Sequence, residues 1–297
     1  MTDDSKITEL GALLAPYANK CNQYLNRWLI EPGVPDDLAE AMRYCVMNGG
    51  KRLRPAMVQL AAETGSCCEA KIVGRACVAI ELVHSYSLVH DDLPAMDDDV
   101  LRRGRPTAHV QFGEAMAILA GDALLTRAVS VLAEDRSSSA ADLVLELTLR
   151  AGPAGMIAGQ VADMKLCHVP SGIEGVTYIH MRKTAALLRA AAAMGGIAGG
   201  LDDSEIEALG QYGQSLGLAF QVFDDILDVT ADAEALGKTP GKDADSDKLT
   251  VVAQIGLDGA RKLGAELSDQ SIAALDSFGP RGDKLINLAD LLIKRTH

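Results

Sequence analysis

Two groups of aspartates have the types and spacing to do chemistry together. The first is Asp91-Asp92-Leu-Pro-Ala-Met-Asp97-Asp98-Asp99, five carboxylates within nine residues. It follows a strongly apolar stretch that begins near Lys71. Pro94 disfavours helical geometry at Leu93, so the chain is expected to leave its helix just past the paired aspartates. Carboxylates at a helix C-terminus meet the negative end of the dipole and repel one another, so a cation should compensate. The second group is Asp224-Asp225-Ile-Leu-Asp228. Asp224 and Asp228 share a helix face, with Gln221 one turn back, and like charges at this spacing cost about 0.2–0.5 kcal/mol in an isolated helix. Phe220, Val222, Phe223, Ile226 and Leu227 crowd the rest of that surface, which argues against simple solvation. Magnesium suits such donors, because it takes oxygen ligands and usually binds one or two carboxylates plus substrate phosphates. Asp243-x-Asp245-x-Asp247 begins like a calcium loop, but Lys248 and Gln254 stand where its glycine and glutamate are required.

The cations are dispersed. Gly49-Gly50-Lys51-Arg52-Leu53-Arg54-Pro55 sets Lys51 and Arg54 on one helical face after two flexible glycines, an arrangement that suits a diphosphate. Arg102 and Arg103 directly follow the first aspartate group, where a salt bridge to those aspartates is the competing role. His84 lies seven residues before Asp91, two turns back on the same face. Lys183-Thr184 and Lys238 lie in or beside mostly apolar helices. No Ser-His or Cys-His arrangement suggests a protein nucleophile.

Helices must position these residues. Leu10, Leu13, Leu14 and Tyr17 follow the i, i+3, i+4, i+7 pattern, and comparable stretches recur at 35–48, 53–64, 71–93, 107–134, 138–166, 172–200, 204–229, 249–269 and 281–295. Turn chemistry separates them, as at EPGVP (31–35), KTPGKD (238–243) and Gly279-Pro280. Aromatics are only 4% of the 297 residues, which favours helix over sheet. The expectation is a single all-α domain over residues 1–297, with about ten helices. The formal charge of −13 argues against nucleic-acid binding. Six cysteines without a CxxC suit reduced thiols, and the N-terminus has no signal-peptide character. The longest weakly polar run, Ala190 to Leu201, is too short for a bilayer, so no stable membrane insertion is expected. The expected location is cytoplasmic.

These residues together resemble the trans-prenyltransferases, or polyprenyl diphosphate synthases, and closely the bacterial farnesyl diphosphate synthases. The likeness is carried by GGKRLRP, ELVHSYSLVHDDLPAMDDDVLRRGRPT, GDALL, GQ at 159–160, KT at 183–184, FQVFDDILD and GKTPGKD, in order from residue 49 to 243. It implies an isoprenoid-synthase helical bundle around a central cavity, a homodimer, and Mg2+ as cofactor. By that likeness Asp91 and Asp97, with Asp92 close by, hold magnesium from one wall, and Asp224 from the other, with Asp228 nearby. Lys51, Arg54, His84 and Arg103 would bind the diphosphate of isopentenyl diphosphate. Arg102, Lys183, Thr184, Gln221 and Lys238 would surround the allylic diphosphate. Asp91, Asp97, Asp224 and Lys183 would then carry catalysis. Two departures, Val100 in place of an acidic residue and KLTVV in place of KxTYP, bear on loop closure and remove no ligand.

The implied reaction joins isopentenyl diphosphate head-to-tail to dimethylallyl and then geranyl diphosphate. Tyr86 lies five residues before Asp91, roughly 7.5 Å along a helix axis. A ring there could floor the hydrocarbon pocket, and the resemblance associates an aromatic at this position with a farnesyl product. The alternatives are a geranylgeranyl diphosphate synthase and a non-catalytic synthase subunit.

Overall fold

Helix breakers punctuate the chain as the sequence requires. The computed structural model describes residues 3–66, 69–230 and 249–293. The EPGVP turn separates α1 (Asp3–Trp28) from α2 (Asp36–Val46), and Gly49-Gly50 precedes α3 (Leu53–Ala62). Helix α4 (Ala70–Asp91) ends at the first aspartates, three residues before Pro94. A short antiparallel ribbon follows, β1 (Leu101–Arg102) against β2 (Arg105–Pro106). Then come α5 (Ala108–Phe112), α6 (Glu114–Ala133), α7 (Ser139–Ala151), α8 (Met156–Asp163) and α9 (Ile173–His180). A π-helical turn (Met181–Ala185) leads into α10 (Ala186–Ala198), and α11 (Asp203–Thr230) carries the second aspartate group. Helices α12 (Val251–Ala273) and α13 (Asp283–Ile293) complete the described residues.

The all-α expectation holds, with thirteen α-helices among the described residues against about ten expected. The difference has local causes. Gly113, at φ 85°, breaks the stretch expected to run unbroken over 107–134. Gly152-Pro153-Ala154-Gly155 breaks that over 138–166, because Pro cannot continue the ladder.

The chain divides into two compact units, each drawing on separated stretches of sequence. The first comprises Ala12–Leu147 and Met194–Leu201; the second comprises Met1–Gly11, Thr148–Ala193 and Asp202–His297. Helix α4 is the spine of the first unit. Ile72, Val73, Ala76, Cys77, Val78, Ala79, Ile80, Leu82 and Val83 are all buried, and each large apolar side chain so removed from water contributes about 1.5–3 kcal/mol. It packs against α3 and α6. Arg75 is buried with them and donates to Val131 O at 2.5 Å and Glu134 at 3.0 Å. Trp28 stacks on Tyr24 with ring centroids 5.5 Å apart, and the guanidiniums of Arg27 and Arg75 each lie 5.2 Å from its ring.

In the second unit α11 packs against α12 and α13. Tyr212 is fully buried there and donates its hydroxyl to Leu285 O at 2.7 Å. Asp202 caps α11 by accepting the Ser204 and Glu205 backbone N–H groups, both at 2.9 Å.

Helices α4 and α6, unlike the run from Ala190 to Leu201, are long and apolar enough to cross a membrane. Helix α4 is a core helix, whereas α6 leaves Ile118 and Leu119 exposed.

Candidate active site

The first half of the site is built where α4 ends. Asp91 is its last residue, and beyond it the loop turns back: Asp97 N–H donates to Asp91 O at 2.8 Å, and Asp98, in the left-handed region at φ 51°, donates its N–H to Leu93 O at 3.2 Å. This return sets Asp97 beside Asp91, with Asp97 exposed and Asp91 half-buried. Asp92 points elsewhere. It is buried, and Arg102 holds its carboxylate from Nε at 2.8 and 2.9 Å and from Nη2 at 2.5 Å. Burial pushes the Asp92 carboxyl up from its ordinary range while the Arg102 hydrogen bonds oppose the shift. The salt bridge that competed with a substrate role for Arg102 is therefore formed, and it occupies the Asp92 oxygens expected to approach magnesium.

Arg103 is delivered by the ribbon. Arg103 (φ 53°) and Gly104 (φ 75°) both have positive φ, the pattern of a type I′ hairpin turn, and this places Arg103 at the tip. Its Nη1 donates to Gly49 O at 2.6 Å, and its guanidinium lies so close over Gly50 that a Cβ there would collide with it. The ribbon is held by Tyr44, whose hydroxyl donates to Pro106 O at 2.7 Å, and by the Arg105 guanidinium 4.5 Å from the Tyr44 ring.

The Gly49–Arg54 turn has an uncommon backbone, with Gly49 at φ 79°, Gly50 at φ 107° and Arg52 at φ 51°. A left-handed non-glycine residue costs roughly 1–2 kcal/mol, so something must hold Arg52 there. Its buried guanidinium donates to Glu81 at 2.5 Å, Val46 O at 2.7 Å and Asn22 at 3.2 Å. Lys51 is exposed beside it, and Arg54 is half-buried with its Nε lacking a protein partner. A buried, unpartnered guanidinium nitrogen fits an anion site. His84 is held well below its ordinary value of 6.5, first by burial and then by Arg54, Arg103, Arg102 and Arg52. It is neutral and can donate from one ring nitrogen while accepting at the other. Tyr86, 6% exposed, packs edge-on against His90 with ring centroids 5.8 Å apart. Burial, with Asp91 nearby, pushes its hydroxyl up to about 12, and that oxygen has no hydrogen-bond partner.

The second half is built on the π turn and α11. An i→i+5 turn widens a helix locally and recurs at functional positions. This one carries Lys183 and Thr184, and Gly159 of α8 abuts the Lys183 backbone too closely to admit a Cβ. Lys183 Nζ donates to Asp163 at 2.6 Å, and the Thr184 hydroxyl donates to Gln221 Oε1 at 3.0 Å. Gln221 thus reaches back to the π turn, on the same α11 face as Asp224 and Asp228, both half-buried. Asp225 differs: it is buried, and its Oδ2 accepts the Val251 N–H at 2.7 Å. Lys238 lies outside the described residues.

The first unit thus brings together Lys51, Arg54, His84, Tyr86, Asp91, Asp92, Asp97, Arg102 and Arg103; the second brings together Lys183, Thr184, Gln221 and Asp224. Arg52, Glu81 and Asp163 were not singled out from sequence, and Asp225 was named only as a member of the second aspartate group. Glu81 did leave a signal, an acid between Ile80 and Leu82 in an apolar helix; Asp163 left none. Among the described residues no three His, Cys, Asp or Glu side chains form a ready-made metal cluster. The all-oxygen pairs nonetheless fit Mg2+, which completes its shell with water and substrate phosphate instead of a protein cage.

The chain is similar to known proteins in sequence and in fold. The polyprenyl synthetase family model matches residues 35–273. Geranylgeranyl pyrophosphate synthase 9, chloroplastic, of Arabidopsis thaliana is 44% identical over 270 residues, covering 88% of this chain and 75% of that protein. A geranyltransferase from Helicobacter pylori, solved with magnesium and isoprenyl diphosphate, is 34% identical with a TM-score of 0.77, covering 95% of this chain and 96% of that one. An FPP/GFPP synthase from Zymomonas mobilis is 31% identical with a TM-score of 0.81, covering 98% and 100%. These relatives are named for different products, so the narrower likeness to bacterial farnesyl synthases stands as a family-level one. The chain belongs to the polyprenyl synthetase family and is a prenyltransferase with the all-α fold of the isoprenyl synthases.

Proposed function

We propose that the enzyme condenses isopentenyl diphosphate with dimethylallyl and geranyl diphosphate to give farnesyl diphosphate, acting as a single domain over residues 1–297. The observation that carries this reading is Tyr86, a buried ring on α4 five residues before Asp91. A ring roughly 7.5 Å along the helix from the aspartates limits how long a hydrocarbon tail can grow. Lys51, Arg54, neutral His84 and Arg103 bind the diphosphate of isopentenyl diphosphate. Lys183, Thr184 and Gln221 meet the allylic diphosphate, with Lys238 and Arg102 assigned to the same group by resemblance. Asp91, Asp97 and Asp224 would hold Mg2+, with Asp92 acting through its pairing with Arg102. The metal, when bound, neutralises charge developing on the departing diphosphate. The cationic side chains do the same from the protein side as the allylic carbon–oxygen bond breaks. The isopentenyl double bond then attacks the allylic carbon, and a proton leaves to the released diphosphate.

A geranylgeranyl product is the second reading, favoured by the names of the plant relatives. A non-catalytic subunit fits less well, because the acidic and basic groups are all retained. Homodimerisation is proposed as well, supported by the exposed apolar residues of α6, Ile118 and Leu119. A cytoplasmic location is proposed, supported by Cys21, Cys45 and Cys167, which form no disulfide among the described residues. The test is incubation with isopentenyl diphosphate and dimethylallyl, geranyl or farnesyl diphosphate, with and without Mg2+, followed by chromatography. A fifteen-carbon product formed only with Mg2+ is expected. A twenty-carbon product would replace the farnesyl reading, and no product under any condition would sink both.

A further inference from the structure

Behind the turn that carries Lys51 and Arg54 sits a buried charge that none of the roles above uses. Glu81 lies in the apolar interior of the first unit, one helical turn before His84 on α4, and pairs with Arg52 at 2.5 Å with both side chains 5% exposed or less. The same guanidinium donates to Val46 O, the last carbonyl of α2, and to Asn22 of α1. One buried group therefore grips α1, α2 and α4. Its own backbone is the left-handed residue from which α3 starts, at φ 51° and ψ 40°. Lys51 immediately precedes it, and Arg54 follows two residues on.

Stability alone does not explain such a pair. Desolvation of two buried charges offsets much of their attraction, and apolar side chains of similar volume would fill the core as well. Apolar side chains could not hold the α2 carbonyl, Asn22 and an α4 carboxylate to a single residue of the turn, as a planar five-donor fork does. Nor would they offset the mutual repulsion of the cations. Burial disfavours the charged forms of both Arg54 and Arg103, Arg103 adds to this at Arg54, and Arg52 and Arg102 add to it at Arg103, while Glu81 favours the charged form of each.

We propose that Arg52 and Glu81 are positioning residues: their buried pair fixes the 49–54 turn on α4, so that Lys51, Arg54 and His84 are presented together to isopentenyl diphosphate. This rests on the assignment of that turn to isopentenyl diphosphate. Both side chains are buried, so they would act through the turn and not on the substrate. Their effect is therefore specific to one of the two diphosphates, whereas a general packing role would disturb both.

Steady-state kinetics on the full chain, with each substrate varied in turn, separate these cases. Glu81→Gln and Arg52→Gly are expected to raise KM for isopentenyl diphosphate about tenfold or more, with KM for geranyl diphosphate and kcat within about twofold. Arg52→Gly keeps the left-handed backbone and loses only the fork, so a wild-type KM in that variant overturns the proposal. A wild-type KM in Glu81→Gln does the same, as does a parallel change in both KM values and kcat. Should the single variants fail to fold, Arg52→Met with Glu81→Leu removes both buried charges together. The double variant is expected to fold and to show the same selective rise; a normal KM, or failure to fold, would assign the pair to stability and overturn the positioning role. Lys51→Ala is the control. If it leaves KM for isopentenyl diphosphate unchanged, the assignment of the turn is wrong, whatever Arg52 and Glu81 do.

Discussion

The Asp225 carboxylate accepts the Val251 backbone N–H at 2.7 Å, so the middle aspartate of the second acidic group is an anchor for the start of α12. Thr250 accepts the Ala253 N–H beside it, and together they satisfy two of the N–H groups that every helix start leaves orphaned. Asp225→Ala should therefore lower unfolding stability by about 1–2 kcal/mol in urea titrations. Asp224→Ala should leave the urea midpoint nearly unchanged yet cut turnover by roughly a hundredfold or more. Equal losses of stability in the two variants would contradict this division of labour.

Asp92 and Arg102 form a pair that each needs. Removing either leaves a partly desolvated charge behind, so the double variant Asp92→Ala/Arg102→Ala should be less destabilised than the sum of the singles, by about 1 kcal/mol or more. Asp91→Ala, whose side chain is the expected metal ligand, should abolish most activity with the fold intact. Far-ultraviolet circular dichroism and product assays together check both statements.

The depressed His84 value gives stability a pH dependence of known sign. In the unfolded chain the imidazole takes a proton near 6.5, whereas in the folded protein it stays neutral well below that. The unfolded state then binds more protons, and stability is lost as pH falls through 6.5. One such group contributes a slope of at most about 1.4 kcal/mol per pH unit. His84→Gln should flatten the decline in unfolding free energy between about pH 7 and about pH 5, read from urea titrations, by up to about 1.4 kcal/mol per pH unit.

Product length tests Tyr86. Tyr86→Ala should shift product toward longer chains, because it opens the space that the buried ring fills. Tyr86→Phe should keep the wild-type product length and match or slightly exceed wild-type stability, since the hydroxyl it removes has no hydrogen-bond partner. An unchanged product from Tyr86→Ala would mean that the floor lies elsewhere.

Much of the site was legible because its residues cluster locally. Asp91 and Asp97 belong together through a loop that Pro94 makes inevitable, and Asp224 shares a helical face with Gln221. What the sequence did not reveal is tertiary. Arg52 meets Glu81 across 29 residues and Lys183 meets Asp163 across 20, and no periodic pattern encodes either pairing. The π turn was equally hidden, since Met181 to Ala185 reads as ordinary helix. The paired aspartates of each motif look alike in sequence, and burial separates them: Asp92 and Asp225 are buried structural partners, while Asp91 and Asp224 stay half-open.

Trp28 is the only tryptophan of the chain, and its ring is 9% exposed between Tyr24 and two guanidiniums. Its fluorescence is therefore a single-site optical reporter located wholly in the first unit. Unfolding should carry that emission to longer wavelength as water reaches the indole. The circular dichroism of the helices records both units at once. If the two signals trace one transition, the interleaved units melt cooperatively; if the tryptophan signal leads or lags, they do not.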